Sequence, residues 1–439
     1  MFFKTPICVL SVLAFSAGVM GQNQFGWQPS VDLVEIPSLD FDALAAEDIT
    51  REEAGMAPRY AIPNKVTQGP AYGGTWTQPD ADTWLWELRV ASPGSLSINL
   101  AFEHFIMPED AVMTISSHDG RFSLPPLTID NNNPDDEYWT PPVPDSEIKI
   151  SIEMDAKVRP MVENGIILTS INVGYRGFYD GAFDVEDRSG SCNYDVECSE
   201  TAGWENQIPC VAVISTGGST FCTGFMVNNQ RNDREPLFMT ANHCGINSGN
   251  AASLVTFWNY QDSATDPLDC PGNSVDSGPL DQFLSGSQFL ASYAPSDFTI
   301  VKLNESPPQE WEVSFCGWSA EDVISDYSVA IHHPSTDYKR WSIDYEPSEI
   351  YGNNEPGTTH LRILDWDLGT TEPGSSGSPL FDQNFRVIGQ LHGGFAACGN
   401  DLEDWYGRIA VSWDNGLQPH LDPDNTGNRL CDTLSGAGL

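Results

Sequence analysis

The cysteines of this chain are concentrated in its second half. Of ten cysteines, one is Cys8 and the other nine follow residue 190. The nine are Cys192, Cys198, Cys210, Cys222, Cys244, Cys270, Cys316, Cys398 and Cys431. So one-sided a distribution indicates that two different modules are joined near residue 190. Because nine is an odd number, at least one thiol is free or pairs outside the chain.

The first residues indicate that the chain is exported to an oxidising compartment. Residues 1–21 have the pattern of a signal peptide, with a positive start, an apolar run from about Pro6 to Met20, and small residues at Val19 and Gly21. The run is shorter than the ~20 residues of a membrane span. We therefore expect a secreted, extracellular protein with disulfide bonds. The sequence contains no CxxC pair and no HExxH motif, so we expect no metal and no cofactor.

Net charge narrows the range of partners. The chain has 62 acidic and 20 basic residues, which give a formal net charge of −42 at pH 7. Such a surface repels phosphate backbones and anionic lipid, so it argues against nucleic acid and membrane and favours cationic partners. A hydrophobic fraction of 40% is still enough to fill real cores. We expect a monomer.

The part of the chain before residue 189 divides into a leader and a small β module. Residues 22–65 are acidic and poor in aromatics, which predicts a flexible leader with at most a short helix. From residue 73 to about 179, apolar residues alternate with polar or small ones. This pattern predicts an all-β, sandwich-like module within residues 66–188. Its tryptophans Trp76, Trp84 and Trp86 would suit an adhesion or carbohydrate-binding module, although such residues more often form core.

Residues 189–439 are predicted to form a second all-β domain. A charged, apolar-poor segment at 184–190 precedes it and suits an exposed, cleavable connector. Beyond the connector, strand-like runs such as 210–214 and 387–391 alternate with turns rich in Gly, Asn and Pro, and helical periodicity is scarce. A domain of about 250 residues suits a double β-barrel.

Three short segments of this domain carry residues suited to catalysis. They are FMTANHCG at 238–245, SDFTIV at 296–301 and GSSGSP at 374–379. Taken singly, the histidine suits a core position, the aspartate a turn cap and the Gly/Ser run a tight turn. Together they supply a base, an acid and a nucleophile in the order His, Asp, Ser, which is the chymotrypsin-type order.

The chemistry of acyl transfer assigns a role to each residue. Serine is a poor nucleophile near neutral pH unless a base removes its proton. We therefore predict Ser376 as nucleophile, His243 as general base and Asp297 as the carboxylate that orients the imidazole. Glycines on both sides of Ser376 permit a tight turn, so that the amides of Gly374 and Ser376 can form an oxyanion hole.

TANHCG, SDFTIVKLN and TEPGSSGSPL resemble motifs of the secreted bacterial lysyl endopeptidases, a family of trypsin-like serine peptidases. The resemblance covers residues 189–439 and includes SGSCNYDVEC, HHP, GTTHL and GQLHGG. It implies a double β-barrel and an endopeptidase that cuts after basic residues through an acyl-enzyme, with Lys favoured and Arg possible. The β-rich region before it is similar to that family's propeptide, which implies a zymogen whose propeptide acts as chaperone or inhibitor.

The resemblance also implies a pocket for the basic side chain. Asp404, in the segment DWYGR, matches the aspartate at the base of the family's specificity pocket, where a carboxylate would pair with an ammonium or guanidinium. His392 matches a histidine that stacks on an aromatic residue in the family. The family's stacking partner is a tryptophan, and the nearest aromatic residue in this chain is Tyr351, with a one-residue offset. A planar guanidinium also stacks well on aromatics, so this departure bears on the choice between Lys and Arg.

Disulfides and activation follow from the same resemblance. It implies three bridges: Cys192–Cys398, Cys198–Cys270 and Cys222–Cys244. Cys210, Cys316 and Cys431 depart from that framework, and two of them are available for an extra bridge. The cut that removes the propeptide is expected between Asp184 and Ser189, with Arg188 as the basic residue.

Two alternative functions remain open on the sequence alone. A glutamyl endopeptidase-like specificity is the alternative among peptidases, and the charge of Asp404 disfavours it. The other is a peptidase-derived binding or adhesion protein that retains its β-sandwich, which an intact triad argues against.

Overall fold

The chain folds into two consecutive β-rich units. The computed structural model describes residues 30–177, 189–262, 270–272, 280–352 and 355–437, with the backbone alone described at 355–357. The predicted signal peptide and most of the connector, including Arg188, lie outside the described residues. Within the described ranges, none of the helices combines the length and apolar character that a membrane crossing requires.

The first unit contains two sheets. Its strands are β1 (Leu33–Glu35), β2 (Ala61–Gln68), β3 (Thr75–Thr77), β4 (Thr83–Ala91), β5 (Ser97–Phe105), β6 (Ala111–Ser117), β7 (Tyr138–Trp139), β8 (Glu147–Asp155) and β9 (Ile166–Gly174). Its helices are α1 (Phe41–Glu53), α2 (Arg159–Gly165) and the 3-10 turn Ile129–Asn131. One sheet has the order β1-β4-β8-β6 with β3 on β4, and the other has the order β2-β9-β5-β7.

Alternation along the strands builds the core of the first unit. On β8, Ile148, Ile150 and Ile152 are buried, and on β5, Leu100 and Phe102 are buried in the same hydrophobic cluster. Because a strand turns every second side chain to one face, each sheet directs one apolar face inward. The two sheets therefore share one core, as in a sandwich.

The segment predicted as a flexible leader is more ordered than its composition suggests. It contains β1 and the 13-residue helix α1, and β2 begins at Ala61, before the expected boundary at 65. Asp40 caps the helix by accepting from the amide of Ala43. Asp48 is buried and pairs with Arg59 at 2.7 Å. Acidic residues that look solvated in the sequence are here part of the packing.

The second unit is also built mainly from strands. They are β10 (Tyr194–Asp195), β11 (Val211–Thr216), β12 (Thr220–Met226), β13 (Leu237–Ala241), β14 (Val255–Phe257), β15 (Phe283–Ser285), β16 (Ser287–Tyr293), β17 (Phe298–Leu303), β18 (Trp318–Ser319), β19 (Ser328–His332), β20 (Arg340–Asp344), β21 (Glu349–Gly352), β22 (Glu355–Ile363), β23 (Pro379–Phe381), β24 (Val387–Gly394), β25 (Asp404–Arg408) and β26 (Leu430–Cys431). The helical pieces are α3 (Ile409–Ser412), α4 (Gln418–Leu421), the π-turn Trp413–Leu417 and the 3-10 turns Ser199–Thr201, Ile208–Cys210, Asn242–Cys244, Ala251–Ser253, Ala294–Ser296, Gln309–Trp311 and Pro334–Thr336.

These strands form two large sheets. The seven-stranded sheet has the order β15-β14-β11-β12-β13-β17-β16, and the ten-stranded sheet has the order β10-β20-β19-β23-β24-β25-β22-β21, with β18 attached to β24 and β26 attached to β18. One hydrophobic cluster takes residues from both sheets. The prediction of an all-β chain is confirmed, and two sheets of this kind are what a double barrel requires.

Four disulfides brace the second unit. Three of them join the pairs that the resemblance implies: Cys192–Cys398, Cys198–Cys270 and Cys222–Cys244. The fourth joins Cys210 to Cys316 over a sequence separation of 106 residues. Among the described residues, Cys431 is the free cysteine, and it is buried. Burial raises the pKa of its thiol to about 11, so it is neutral at physiological pH.

Candidate active site

Strand pairing brings His243 to Asp297. β13 and β17 run antiparallel with Ala241 opposite Phe298, so the residues just beyond these positions meet at the sheet end. The backbone amide of His243 donates to Asp297 Oδ1 over 2.9 Å, and His243 Nδ1 lies 2.8 Å from Asp297 Oδ2. Asp297 is only 2% exposed and has a left-handed φ of +53°. Both carboxylate oxygens therefore fix one histidine, with its Nδ1 toward the acid and its Nε2 available for a substrate or nucleophile.

Two further histidines line the other side of Asp297. The His392 ring stacks on that of His243 with centroids 5.4 Å apart, and its Nδ1 lies 3.9 Å from Asp297 Oδ2. His360 Nε2 lies 2.9 Å from His392 Nδ1. Burial lowers the pKa of His360 to about 4 and also lowers the pKa of His392. Both rings are therefore neutral at pH 7, and neither competes as a cation for the Asp297 carboxylate.

Ser376 lies on a turn whose glycines permit close approach to the His243 strand. Gly377 has a φ of +85°, and a Cβ there would lie 2.2 Å from Thr240 Oγ1 and 2.7 Å from the amide nitrogen of Ala241. Any other residue would push the turn away from β13. Ser376 itself is half-buried, and its carbonyl accepts from the amide of Thr223 over 2.8 Å.

The amides around Ser376 are available for a ligand. Within the described part of the chain, neither the N–H of Gly374 nor that of Ser376 donates to a protein acceptor, whereas the intervening amide of Ser375 donates to Glu372. Gly374 has a φ of +99°, which favours glycine, and a Cβ there would lie 2.3 Å from the ring of Phe221. Two unused donors two residues apart on one turn suit an anionic oxygen.

A buried network holds this turn from behind. His332 is fully buried, with Nδ1 2.8 Å from Ser375 Oγ and Nε2 3.1 Å from Ser342 Oγ. Burial lowers the pKa of His332 to about 3, so it stays neutral. The Glu372 carboxylate accepts from Gly190 N over 2.7 Å and from Asn193 Nδ2 over 2.9 Å. The start of the second unit is thereby tied to the segment that carries Ser376.

Asp404 is buried near the same turn, on β25. Its Oδ2 accepts from Trp366 Nε1 over 2.7 Å and from Thr371 Oγ1 over 2.8 Å, whereas its Oδ1 has no hydrogen-bond partner among the described residues. Burial raises the pKa of Asp404 to about 6, although the bonds from Trp366 and Thr371 and the nearby backbone amide of Ala396 oppose the rise. A Cβ at Gly394 would lie 1.9 Å from Oδ1, so this glycine leaves room beside the unpartnered oxygen.

Tyr351 occupies a different environment from the one expected of a partner for His392. On β21 it lies opposite His360, and the guanidinium of Arg362 lies 4.5 Å from the centre of its ring. The ring that stacks most nearly parallel to His392 in the described contacts is that of His243, and His360 packs beside it at a tilt of 32°.

Several residues that shape the site were not singled out by the sequence. Trp366 and Thr371 orient Asp404, His360 contacts His392, and Glu372 braces the nucleophile turn. His360 and Glu372 lie inside the segments GTTHL and TEPGSSGSPL, which were noted for their resemblance without a role for these residues. Thr371 also lies inside TEPGSSGSPL, whereas Trp366 lies outside the segments noted for their resemblance.

One group in the site could also take a metal ion. Single ligand atoms of His243, Asp297 and His392 lie within 4.8 Å of one another. A metal ion there would replace the hydrogen bond between His243 and Asp297, so the same residues would have to serve either as an acid–base pair or as ligands.

A histidine fixed by a buried aspartate, beside a glycine-flanked serine in a two-sheet β unit, is typical of the chymotrypsin-like serine peptidases. The family model for the lysyl endopeptidase C-terminal domain matches residues 186–407, about half of the chain. The chain belongs to the lysyl endopeptidase family.

A curated relative and solved structures give further comparisons. The lysyl endopeptidase of Pseudomonas aeruginosa is 29% identical over 281 residues, which cover 60% of this chain and 58% of the relative. The chain thus matches less than two thirds of that relative's length. The Rv3671c protease of M. tuberculosis in its active form is 17% identical, covering 54% of this chain and 92% of that one with a TM-score of 0.32. The HtrA-type protease AlgW with a tripeptide is 17% identical, covering 51% and 64% with a TM-score of 0.35.

Proposed function

We propose that the chain is a secreted serine endopeptidase that hydrolyses peptide bonds after basic residues, with Lys favoured and Arg accepted. The observation that carries the proposal is the use of both Asp297 oxygens on His243, since this fixes one tautomer and directs Nε2 outward. The turn with the unused amides of Gly374 and Ser376 contacts the residue after His243, since Cys244 Sγ lies 3.8 Å from the Ser376 carbonyl oxygen.

The reaction has two stages, acylation of Ser376 and hydrolysis of the acyl-enzyme. Ser376 Oγ attacks the carbonyl carbon while His243 Nε2 takes its proton, and the amides of Gly374 and Ser376 stabilise the oxyanion. His243 then gives the proton to the departing amine, which leaves an acyl-enzyme on Ser376. Water enters, His243 removes its proton, and collapse of the second tetrahedral intermediate releases the acid and returns a proton to Ser376.

Asp404 is proposed to select the basic side chain. A substrate ammonium beside Gly394 would meet the unpartnered Oδ1, while Trp366 and Thr371 hold Oδ2 in place. An ion pair formed away from water favours Lys or Arg over acidic and apolar residues. A glutamyl specificity would require a positive charge at this position instead.

The domain roles are part of the same proposal. Residues 189–439 are the peptidase and residues 66–188 the propeptide, which is removed by a cut between Asp184 and Ser189, after Arg188. The propeptide acts as inhibitor or chaperone, and peptide substrates with basic residues are the partners. The alternative of an adhesion module has little support from its tryptophans, because Trp86 is buried and the Arg159 guanidinium covers both Trp76 and Trp84 at 4.0–4.2 Å.

Cleavage-site profiling on a denatured protein tests the proposal. We expect cuts after Lys and Arg that disappear in the Ser376→Ala variant. Cuts after Glu, or activity that persists in this variant, would overturn it. Sequencing the amino terminus of the secreted protein tests the domain roles, since a start near residue 22 contradicts removal of the β module.

A further inference from the structure

The chain just before β2 pairs with an edge of the second unit. The amide of Tyr60 donates to the carbonyl of Ser219 over 2.8 Å, and the amide of Phe221 donates to the carbonyl of Pro58 over 3.0 Å. Between these bonds, Arg59 and Thr220 form an antiparallel bridge. Residues 58–60, here named the docked segment, are therefore added as a strand to residues 219–221, the receiving edge.

Buried side chains fix the register of this pairing. The Tyr60 hydroxyl lies 2.8 Å from Ser215 Oγ and accepts from Asn99 Nδ2 over 3.2 Å. The same Asn99 nitrogen lies 3.0 Å from the carbonyl of Gly218. Tyr60 is 1% exposed and Asn99 is fully buried. A slip of one residue would leave these polar atoms without partners, so the docked segment has one position.

The receiving edge adjoins the nucleophile turn. Two residues beyond Phe221 on β12, the amide of Thr223 donates to the carbonyl of Ser376 over 2.8 Å, and its hydroxyl donates to the carbonyl of Gly374 over 2.9 Å. A strand advances about 3.3 Å per residue, so the amides of Phe221 and Thr223 are about 7 Å apart. Pro58, bound to Phe221, is therefore close to the residues that would react.

The receiving edge and the proposed pocket lie on different sheets. Asp404 is on β25 of the ten-stranded sheet, whereas Thr220 and Phe221 of the receiving edge are the first residues of β12 in the seven-stranded sheet. When the basic residue of a peptide enters the pocket at Asp404, the scissile bond lies at Ser376. The residues after that bond must then lead away from Asp404 and pass over the seven-stranded sheet. Ala57, just before the docked segment, is 8% exposed within the hydrophobic cluster that includes Cys222 and Cys244. Gly394, beside Asp404, is exposed.

We propose that in the precursor the docked segment occupies, as an added strand, the receiving edge over which the part of a peptide that follows the scissile bond must pass. The inference rests on the proposed peptidase activity. It adds that the precursor is blocked on the side that takes the residues after the scissile bond, and that a paired strand blocks it. The precursor is then closed to extended peptides and remains open to acyl groups that carry a small leaving group.

Two substrates on the full-length chain test this inference. The uncut precursor, kept so by Arg188→Gln and checked by mass, is compared with the processed enzyme on a lysyl anilide and on a lysyl peptide with four residues after the bond. We expect the uncut chain to lose at least 100-fold on the extended peptide and less than tenfold on the anilide. Equal losses on both substrates overturn the inference, whereas a processed enzyme inactive on both contradicts the proposed function itself.

A matched pair of variants separates the docked segment from the rest of the interface. Tyr60→Phe keeps the ring and removes the hydroxyl contacts, and we expect it to restore cleavage of the extended peptide at least tenfold in the uncut chain. Ser285→Ala removes the contact with Trp139, where Ser285 Oγ lies 3.1 Å from the amide and 2.9 Å from the carbonyl. We expect this control to leave the ratio of the two substrates unchanged. Equal shifts in both variants, or none in Tyr60→Phe with an unchanged melting temperature, contradict the inference.

Discussion

At the scale of single residues, the hydrogen bonds of each buried carboxylate determine what it can do. Asp297 directs both oxygens to His243, so it has a fixed partner and serves to orient it. Asp404 directs one oxygen to Trp366 and Thr371, and the other has no hydrogen-bond partner in the described part of the chain. A buried carboxylate oxygen without a partner is costly, so the second arrangement favours an incoming cation.

Replacing Asp404 by Asn should remove the preference for basic residues. Truncating one partner of a buried ion pair costs about 2–5 kcal/mol, which is about a 30- to 5,000-fold loss in kcat/KM for a lysyl substrate. Substrates with an uncharged residue of similar length should change less than tenfold. Steady-state kinetics on both substrates measure this, with Glu403→Gln at the neighbouring position as control. If kcat/KM falls equally on both substrates, Asp404 serves to stabilise the fold and does not select the basic side chain.

Selectivity for lysyl substrates should depend on pH through Asp404. Burial raises its pKa from an ordinary value of 3.8 to about 6, so in the free enzyme it is charged above pH 6 and neutral below. The ratio of kcat/KM for a lysyl and an uncharged substrate should be constant above pH 7 and fall as the pH drops through about 6. The ratio cancels titrations common to both substrates. A flat ratio from pH 5 to pH 8 contradicts this role.

The residues of the site differ in how far the sequence reveals them. His243, Asp297 and Ser376 stand in short motifs with recognisable order, so their grouping can be predicted. Trp366 and Thr371 reach Asp404 from 38 and 33 residues away, through pairing of β22 with β25 and the loop that follows β22. Tyr351 was predicted as a pocket residue by an offset match, and the structure puts its ring against Arg362.

At the scale of elements, turns and strand ends set the distances in the site. The turn at Ser376 meets the end of β13 only because Gly377 has no side chain there. The register of β13 with β17 in turn puts Asp297 beside His243. Catalytic geometry thus depends on the contact between two elements from different sheets, and small shifts of either should reduce the rate.

Gly377→Ala should damage catalysis more than it damages folding. The added Cβ would meet Thr240 and Ala241 at 2.2–2.7 Å in addition to the strain of φ +85°. We expect kcat to fall at least 100-fold. Gly203→Ala is the matched control, because its φ of +99° carries similar strain and nothing lies within 4 Å of the added atom. Its cost should be about 1–2 kcal/mol of stability with unchanged kcat. Thermal unfolding and steady-state kinetics separate the effects, and similar kcat values in both variants would contradict the role.

The strands of the first unit could be predicted from alternation, but the ordered packing of the segment before them could not. The apolar period of two predicts strands in this region, and β5 and β8 each bury one apolar face. The acidic composition of residues 22–65 indicated a solvated leader, whereas α1 is held by the pairing of Asp48 with Arg59, 11 residues later in the chain. The local composition of a segment does not reveal an ion pair that forms only in the folded chain.

At the scale of the whole molecule, the two units are joined by more than the connector. Thr336 Oγ1 donates to the carbonyl of Gly177 over 2.7 Å, and the hydroxyl of Ser189 donates to the carboxylate of Asp337. The described residues on either side of the connector are therefore held by neighbouring positions of the second unit. Cutting between them breaks a peptide bond and leaves both anchors intact.

The cut chain should therefore stay associated and inhibited at first. After a single cut in the connector, we expect one peak in gel filtration, two bands on a denaturing gel, and an extended lysyl peptide that is still hydrolysed at least tenfold more slowly than by the isolated peptidase. Full activity at the moment of cutting, with the two pieces already separated, would contradict this expectation. A chain cut in the Ser376→Ala background is the control for further digestion.

The anchoring of both connector ends has a consequence for where activity begins. Once the covalent link is gone, retention of the β module becomes a binding equilibrium, and the fraction bound falls as the protein is diluted. A concentrated pool of cut chains would stay latent, while the same chains spread through a large volume would lose their modules without any further enzyme. Dilution itself would then act as the signal, and the dissociation constant of one interface would set the concentration at which the switch occurs.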